Sequence, residues 1–403
     1  MPSKRVPEAT GASGGYGSAP LELWYHGLRD RLRGEHARAN ARWGHVRAPE
    51  GTGRVIWFKA GASERSVRLA AELLGALRHK RLDVRLVLTF EEDYPEPLEA
   101  RLKGMKKIGV GFGPCDAPRA VQRMLSRLSP LLGVVCVDAA PGSNLVRAAE
   151  RAGVHVVAYN TVPSNGPVEA CYPVNADMAE TLQASGRCGF VAPAADPLAQ
   201  LVEAQVEPSF RAMMGGAAEP MLAWMHFPDA ASAVDAVRVW RAHSLSADSL
   251  LCVSVDGGAE GIESALSGTG GSVLRLSGWS RQPAEPGTLI WADEPRWYPA
   301  LSVSSDLIHL AAAPRAVLWQ ALAGGVPVSF APGAERSALE EGGAGDAWAV
   351  DADMDACLAR WEAYRTRPPE ARRLGDACRR RLWLERRRSA EVVEELLKRM
   401  YDW

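Results

Sequence analysis

The chain has 403 residues, with 47 basic and 48 acidic side chains for a formal charge of −1, which argues against a basic nucleic-acid-binding domain. Apolar residues make up 47% and charged residues 24%, a globular balance that excludes a disordered or fibrous chain. Seven scattered cysteines without a C-x-x-C pair imply neither a zinc site nor a disulfide framework and point to a reducing compartment. No apolar run approaches the ~20 residues of a spanning helix, and the first residues carry no apolar signal core, so a cytoplasmic location without a transmembrane anchor is expected.

In chain order, residues 1–21 mix Gly, Ser, Pro and charge and read as a flexible tail. A helical, Arg-rich stretch follows from Glu22 to Arg42. An alternation of strands and helices then begins: strand Arg54–Phe58, helix Ser66–His79, strand Val84–Thr89, helix Pro97–Lys103, strand Ile108–Gly111 and helix Ala117–Leu128. Leu131–Asp138 and Val154–Tyr159 are unalternated apolar strands flanking a helix at Asn144–Ala152. Such strands suit a parallel sheet covered on both faces. The pattern weakens between Pro163 and Pro220, where a linker at 196–218 is expected. It restarts with strands at Met221–Met225, Leu250–Val255, Ser272–Leu276, Thr288–Ala292, Asp306–His309 and Val326–Phe330. Their helices are Ala230–His243, Ile262–Leu266, Ala316–Ala323 and further ones near the C-terminus. The expected organisation is a Rossmann-like domain at 22–195, a second at 219–385, and a terminal helix at 386–403 returning toward the first. In open parallel sheets a ligand lies beyond the carboxyl ends of the strands, so binding is expected in the groove between the domains.

Three segments of the first half and one of the second carry a family resemblance. Ile56-Trp57-Phe58-Lys59-Ala60-Gly61-Ala62-Ser63-Glu64 is similar to the motif I-W-I-H-A-A-S-V-G-E, and Pro114-Cys115-Asp116-Ala117-Pro118-Arg119-Ala120-Val121 to P-x-D-x-P-x-A-V. Val134 to Val157 resembles V-x-x-E-T-E-x-W-P-N-L followed by G-I-P-V-V, and Gln320 to Val328, including Gly325, resembles E-P-A-A-x-G-x-P-V. These motifs belong to the bacterial 3-deoxy-manno-octulosonic acid (Kdo) transferases. The resemblance implies an α/β, GT-B-like fold: two Rossmann-like domains with parallel sheets facing an interdomain cleft. It further implies Kdo transfer from CMP-Kdo to a lipid A-type acceptor in lipopolysaccharide core biosynthesis, with no metal or other cofactor. Contact with the inner face of the inner membrane would be peripheral, since the family's apolar anchor helix is missing from the tail.

The family's motif glutamate acts as general base, because a sugar hydroxyl must lose its proton as it attacks. Here Glu64 is the carboxylate of that loop, one residue short of the motif position when aligned on Trp57, while alignment on the following helix puts Ser66 there. The competing reading of Glu64 is a first-turn acid that complements the helix dipole. The resemblance places Lys59, Ser63, Asp138, Asn144 and Asn160 on the acceptor side, and His226, Arg315, Gln320 and Gly325 on the donor side. Several motif positions depart from the family. Ala140 stands where the second acid would be, Val162 replaces an arginine, Gln320 replaces a glutamate, and Ser254-Val255-Asp256-Gly257 replaces P-R-H-P. An anionic donor calls for Arg or Lys. A binding or scaffold module that has lost catalysis, and a transferase for another nucleotide sugar, are therefore the alternatives.

Other motifs have plainer readings. Gly109-Val110-Gly111-Phe112-Gly113 reads as a tight turn rather than a dinucleotide fingerprint, and Asp351-Ala352-Asp353-Met354-Asp355 as a helix cap rather than a metal site. Arg379–Arg381 and Arg386–Arg388 lie on an amphipathic helix that fits either anionic lipid or a solvated face.

Overall fold

The computed structural model describes residues 19–163, 166–202, 209–215, 219–256, 261–334 and 348–403. Most of the expected tail, parts of the expected linker and Gly257 lie outside the described residues. The chain divides into two compact units, Met1–Pro197 with Arg388–Trp403, and Leu198–Arg387.

The first unit runs α1 (Pro20–Leu32), α2 (His36–Arg42), β1 (Val55–Ala60), α3 (Glu64–Lys80), β2 (Arg85–Phe90), α4 (Pro95–Leu102), β3 (Ile108–Phe112), α5 (Pro118–Arg127), β4 (Leu131–Val137), α6 (Ser143–Arg151), β5 (His155–Tyr159), β6 (Val168–Tyr172), α7 (Ala176–Ser185) and β7 (Cys188–Val191). The strands form one parallel sheet in the order β3-β2-β1-β4-β5-β6-β7. Central β1 is buried at every position, as a strand covered on both faces must be. Helix α3 buries Val67, Ala70, Leu74 and Leu77 at helical spacing; Ser63 caps it, and Arg78, His79 and Lys80 oppose its dipole in the last turn.

In the second unit come α8 (Leu198–Leu201), α9 (Ser209–Gly215), β8 (Met221–Phe227), α10 (Ala230–Ala242), β9 (Ser249–Val255), α11 (Ile262–Ser267), β10 (Val273–Arg275), β11 (Leu289–Trp291), α12 (Tyr298–Ser304), β12 (Leu307–Leu310), α13 (Arg315–Ala323), β13 (Val328–Phe330), β14 (Ala349–Val350), α14 (Met354–Thr366) and α15 (Pro368–Asp402). Its sheet is also parallel, in the order β10-β11-β9-β8-β12-β13-β14. The last turns of α15 belong to the first unit. There Trp403 stacks on His155 at 5.2 Å, and Gly133 on β4 leaves the room its indole occupies.

Four expectations are refined or corrected. The helical stretch over 22–42 resolves into two helices, separated at Gly34, whose φ of 81° only glycine adopts freely. The weak region after Pro163 holds β6, α7, β7, α8 and α9; its strands are short, and Glu169 and Gly189 interrupt their apolar pattern. The terminal helix begins at Pro368 rather than near 386. Finally, Cys171 and Cys188 are joined by a disulfide across β6 and β7, with Cα atoms 6.0 Å apart. Spacing rules tuned to C-x-x-C miss a pair brought together by strand pairing. The five other cysteines are buried free thiols.

Candidate active site

Each sheet reverses its strand order once, between β1 and β4 in the first unit and between β8 and β12 in the second. Helices leave such a sheet to opposite faces on either side of the reversal, opening a crevice at the carboxyl ends where open α/β sheets bind ligands. Of the residues singled out from sequence, Lys59, Ser63, Glu64 and Asp138 lie at or beside the first of these places and His226 and Arg315 at the second.

At the first reversal the loop after β1 is fastened to β4. The Gly61 N–H donates to the Val137 carbonyl at 3.2 Å and to Ser66 Oγ at 2.5 Å, and Ser66 Oγ donates to Val137 O at 2.9 Å. A side chain at Gly61 would collide with the Asp138 carbonyl. Ser63 Oγ accepts from the Ser66 N–H at 3.2 Å, starting α3. Glu64 is therefore the first residue of a rigid helix; its carboxylate is exposed and takes part in no hydrogen bond or ion pair with the described residues. The Tyr94 hydroxyl donates to Ala62 O at 3.0 Å, and its phenol is pushed up by burial, with the charges of Glu92 and Glu64 adding to the effect.

Beside Glu64, Arg65 Nε lies 3.5 Å from Asp138 Oδ2, and Asn160 Nδ2 donates to Asp138 Oδ1. Asp138 and Asn160 end β4 and β5 at φ 52° and 56°, left-handed positions that Asp and Asn tolerate better than other side chains. Lys59 is buried on β1, level with Thr89 and Cys136. Asn144 is turned to a neighbouring loop: its Nδ2 donates to Asp116 O at 2.7 Å, while the Asp116 carboxylate accepts the N–H groups of Asn144 and Leu145. Asp116 thus caps α6 from another loop, since Gly142 offers no side-chain cap. Arg65 and Asp116 were not among the expected site residues; Asp116 lies inside the second resembling motif, which was the available signal.

At the second reversal the Ala311 and Ala312 N–H groups donate to the His226 carbonyl at 2.8 and 3.3 Å, fastening the exit of β12 to β8. The His226 ring is fully buried. Its Nδ1 lies 2.8 Å from Ser254 Oγ, its Nε2 lies 3.1 Å from Asp256 Oδ1, and Tyr298 packs edge-on at 5.8 Å. Burial pushes the Tyr298 phenol up to about 12. Asp256 itself is half-exposed. Arg315 opens α13, whose first turn has no side-chain cap. Gln320 is buried and donates to Ser302 Oγ at 3.0 Å. Gly325, at φ 66°, leaves space that the Arg379 guanidinium fills. Packing of α15 thereby accounts for this glycine.

The D-x-D stretch divides its labour. Asp353 caps α14, accepting from the Ala356 N–H at 2.8 Å. Asp351 is buried near His309 and Cys357; the three could each offer one metal-ligating atom, all within 4.8 Å. Arg360 Nε, at 2.6 Å, already meets the Asp351 charge through Oδ1, and His309 Nδ1 lies 2.9 Å from Ser329 Oγ, while Asp351 Oδ2 is buried without a hydrogen bond, 3.8 Å from His309 Nδ1. Burial holds the His309 imidazole down to about 4 against its ordinary 6.5, with Asp351 opposing. The folded state then binds fewer protons than the unfolded state between those values, so stability falls as pH drops from about 6.5 toward 4. At about 1.4 kcal/mol per pH unit the loss approaches roughly 3 kcal/mol. Calorimetric melting between pH 7 and 4 should show this slope in the wild type and lose it in His309→Gln.

Two parallel Rossmann-like sheets, each with polar groups at its reversal, define a GT-B-like α/β fold. The family model described as 3-deoxy-D-manno-octulosonic-acid transferase (kdotransferase) matches residues 37–184, within the first unit. No curated protein matches the chain. Among solved structures, Anabaena Alr3699/HepE in complex with UDP is similar at 12% identity and a TM-score of 0.56, covering 87% of this chain and 100% of its own. UDP-GlcNAc 2-epimerase from Neisseria meningitidis, bound to UDP-GlcNAc, is similar at 11% identity and TM-score 0.52, covering 85% of this chain and 100% of its own. A UDP-glucose: anthocyanidin 3-O-glucosyltransferase in complex with UDP is similar at 9% identity and TM-score 0.55, covering 88% and 100%. At these identities the likeness is one of fold. Among the described residues no helix is long and apolar enough to cross a membrane.

Proposed function

We propose that the chain is a Kdo-type glycosyltransferase that moves Kdo from CMP-Kdo to a lipid A-like or other glycan acceptor, with Glu64 as general base. The observation that supports it best is the Glu64 carboxylate, without a hydrogen-bonding partner among the described residues, at the carboxyl end of β1 beside the strand reversal. A carboxylate not engaged by a cation or an N–H keeps its capacity to accept the acceptor hydroxyl's proton. Asp138, held by Arg65 and Asn160, is the engaged acid of the pair and is assigned to acceptor hydroxyls, with Lys59, Ser63 and Asn144 shaping that side. On the donor side, Arg315 and the first-turn N–H groups of α13 face the anionic part of the nucleotide sugar. The reading includes peripheral membrane contact and no metal.

One observation favours a different donor. HepE and the anthocyanidin glucosyltransferase were both crystallised with UDP, which favours a uridine nucleotide. Calorimetric titration of the whole chain with CMP and with UDP separates the readings. CMP binding without UDP binding is the expected result, UDP binding alone moves the donor to a uridine nucleotide, and binding of neither leaves the scaffold reading.

A further inference from the structure

Helix α1 is built inside out. Its inward positions are Leu23, Gly27 and Asp30, while Leu21, Trp24, Tyr25, Leu28 and Leu32 face outward. Leu21 is 83% exposed, Trp24 62% and Leu32 80%. At 3.6 residues per turn these five side chains fall within an arc of roughly 100°. They form one continuous apolar stripe rather than scattered surface residues. Arg31 flanks one edge of the stripe, and Arg29 and Arg33 the other; Arg31 and Arg33 are exposed and in no ion pair with the described residues. Glu22 is the acid on the outer surface of this helix, at its opposite end. Apolar area left in water gains nothing from folding, and a contiguous patch of it marks an interaction surface.

We infer that α1 is an in-plane membrane-docking helix, and that its occupant is the surface of an anionic lipid bilayer. The chemistry matches on three counts. Leucines at helical spacing reach the acyl boundary, Trp24 and Tyr25 are rings of the kind that settle at headgroup depth, and the arginines on both edges meet lipid phosphates. The inner face explains how the helix is held for this work. Asp30 pairs with Arg42 at 2.5 Å, both fully buried, and Leu23 packs against Cys115, Ala117 and Ala120. The polar anchor turns inward and frees the apolar face. The proposal deepens the membrane part of the preceding reading, yet its test involves no sugar transfer, so either can fail alone.

The test is flotation of the whole chain with vesicles of phosphatidylcholine alone and of phosphatidylcholine with phosphatidylglycerol. Binding to the anionic vesicles, weakened by salt, is expected. Trp24→Glu with Leu28→Glu should lower the partition about tenfold or more. Arg31→Gln with Arg33→Gln should lower it about fivefold per arginine on anionic vesicles only. All four side chains are exposed, so unchanged melting is expected, and the arginine pair serves if the glutamate pair fails to fold. A wild-type chain that stays with the buffer overturns the proposal, as does flotation unaffected by both double variants. Sedimentation showing a dimer that Leu28→Glu disperses, without vesicle binding, overturns it in favour of a second copy.

Discussion

Trypsin is expected to cut Asp30→Ala within α1 about 10²–10³ times faster than the wild type. Asp30 and Arg42 form an ion pair with both side chains withdrawn from water. Removing one partner of such a pair costs about 3–5 kcal/mol, because the other charge is left buried and uncompensated. Leu23 is the apolar side chain that α1 inserts into the first unit, and burying a leucine contributes only about 1.5–3 kcal/mol. The penalty therefore exceeds the docking energy of the helix. The cheaper response is for α1 to lift away and let water reach Arg42, rather than for the sheet to unfold. Cleavage after Arg29, Arg31 and Arg33, timed by mass spectrometry under native conditions, reads this opening directly. The double variant Asp30→Leu, Arg42→Met replaces the pair with apolar volume and should recover most of the protection. A single variant cut no faster than the wild type would mean that the pair contributes nothing to holding the helix.

Where one physical signal dominated, the sequence and the structure agree closely. Val-rich runs such as Leu131–Val137 and His155–Tyr159 admit little but a buried parallel strand, and the helix after β1 shows its apolar spacing openly. Agreement fails where tertiary context outweighs local pattern. Strand β6 and edge strand β7 are only five and four residues long, and Glu169 and Gly189 break their pattern. The Cys171–Cys188 bond depends on which strands pair, which spacing along the chain does not encode. Helix α1 shows its period clearly, but the period alone does not say which face looks inward; the Asp30–Arg42 pair decides that.

The site was legible in its positions more than in its partnerships. Lys59, Ser63, Glu64, Asp138 and Asn160 lie at or beside the carboxyl ends of adjacent strands because the resembling motifs are strand-end motifs, and strand ends are where a parallel sheet exposes its loops. What each side chain touches depends on neighbours distant in sequence. Asn144 serves Asp116, Gln320 serves Ser302, and Gly325 makes room for Arg379. His226 was singled out for a donor, and its immediate partners are Ser254 and Asp256. A motif letter specifies a residue type; the hydrogen bonds that fix its role come from the fold.

Glu64→Gln is expected to lower the rate of sugar transfer by about 10²–10⁴-fold, the usual contribution of a positioned general base. The substitution keeps the size of the side chain and its ability to hydrogen-bond, and removes only its capacity to take a proton. Two readings of the residue then diverge sharply in magnitude. As a first-turn acid complementing the dipole of α3, Glu64 is worth no more than about 1 kcal/mol of stability, and its loss leaves chemistry untouched. As the base, it leaves melting and nucleotide binding almost unchanged while kcat collapses and KM moves little, because the lost interaction belongs to the transition state. Glu64→Asp discriminates further. It retains the negative charge at the helix start but withdraws the carboxylate by one methylene from a loop that Ser66 fixes against β4, so the dipole is served while the reach is lost. Transfer rates of the three proteins with a CMP-linked donor, read beside their melting curves, decide the matter. Wild-type turnover in Glu64→Gln would remove the base assignment and leave the acid as a helix-starting residue.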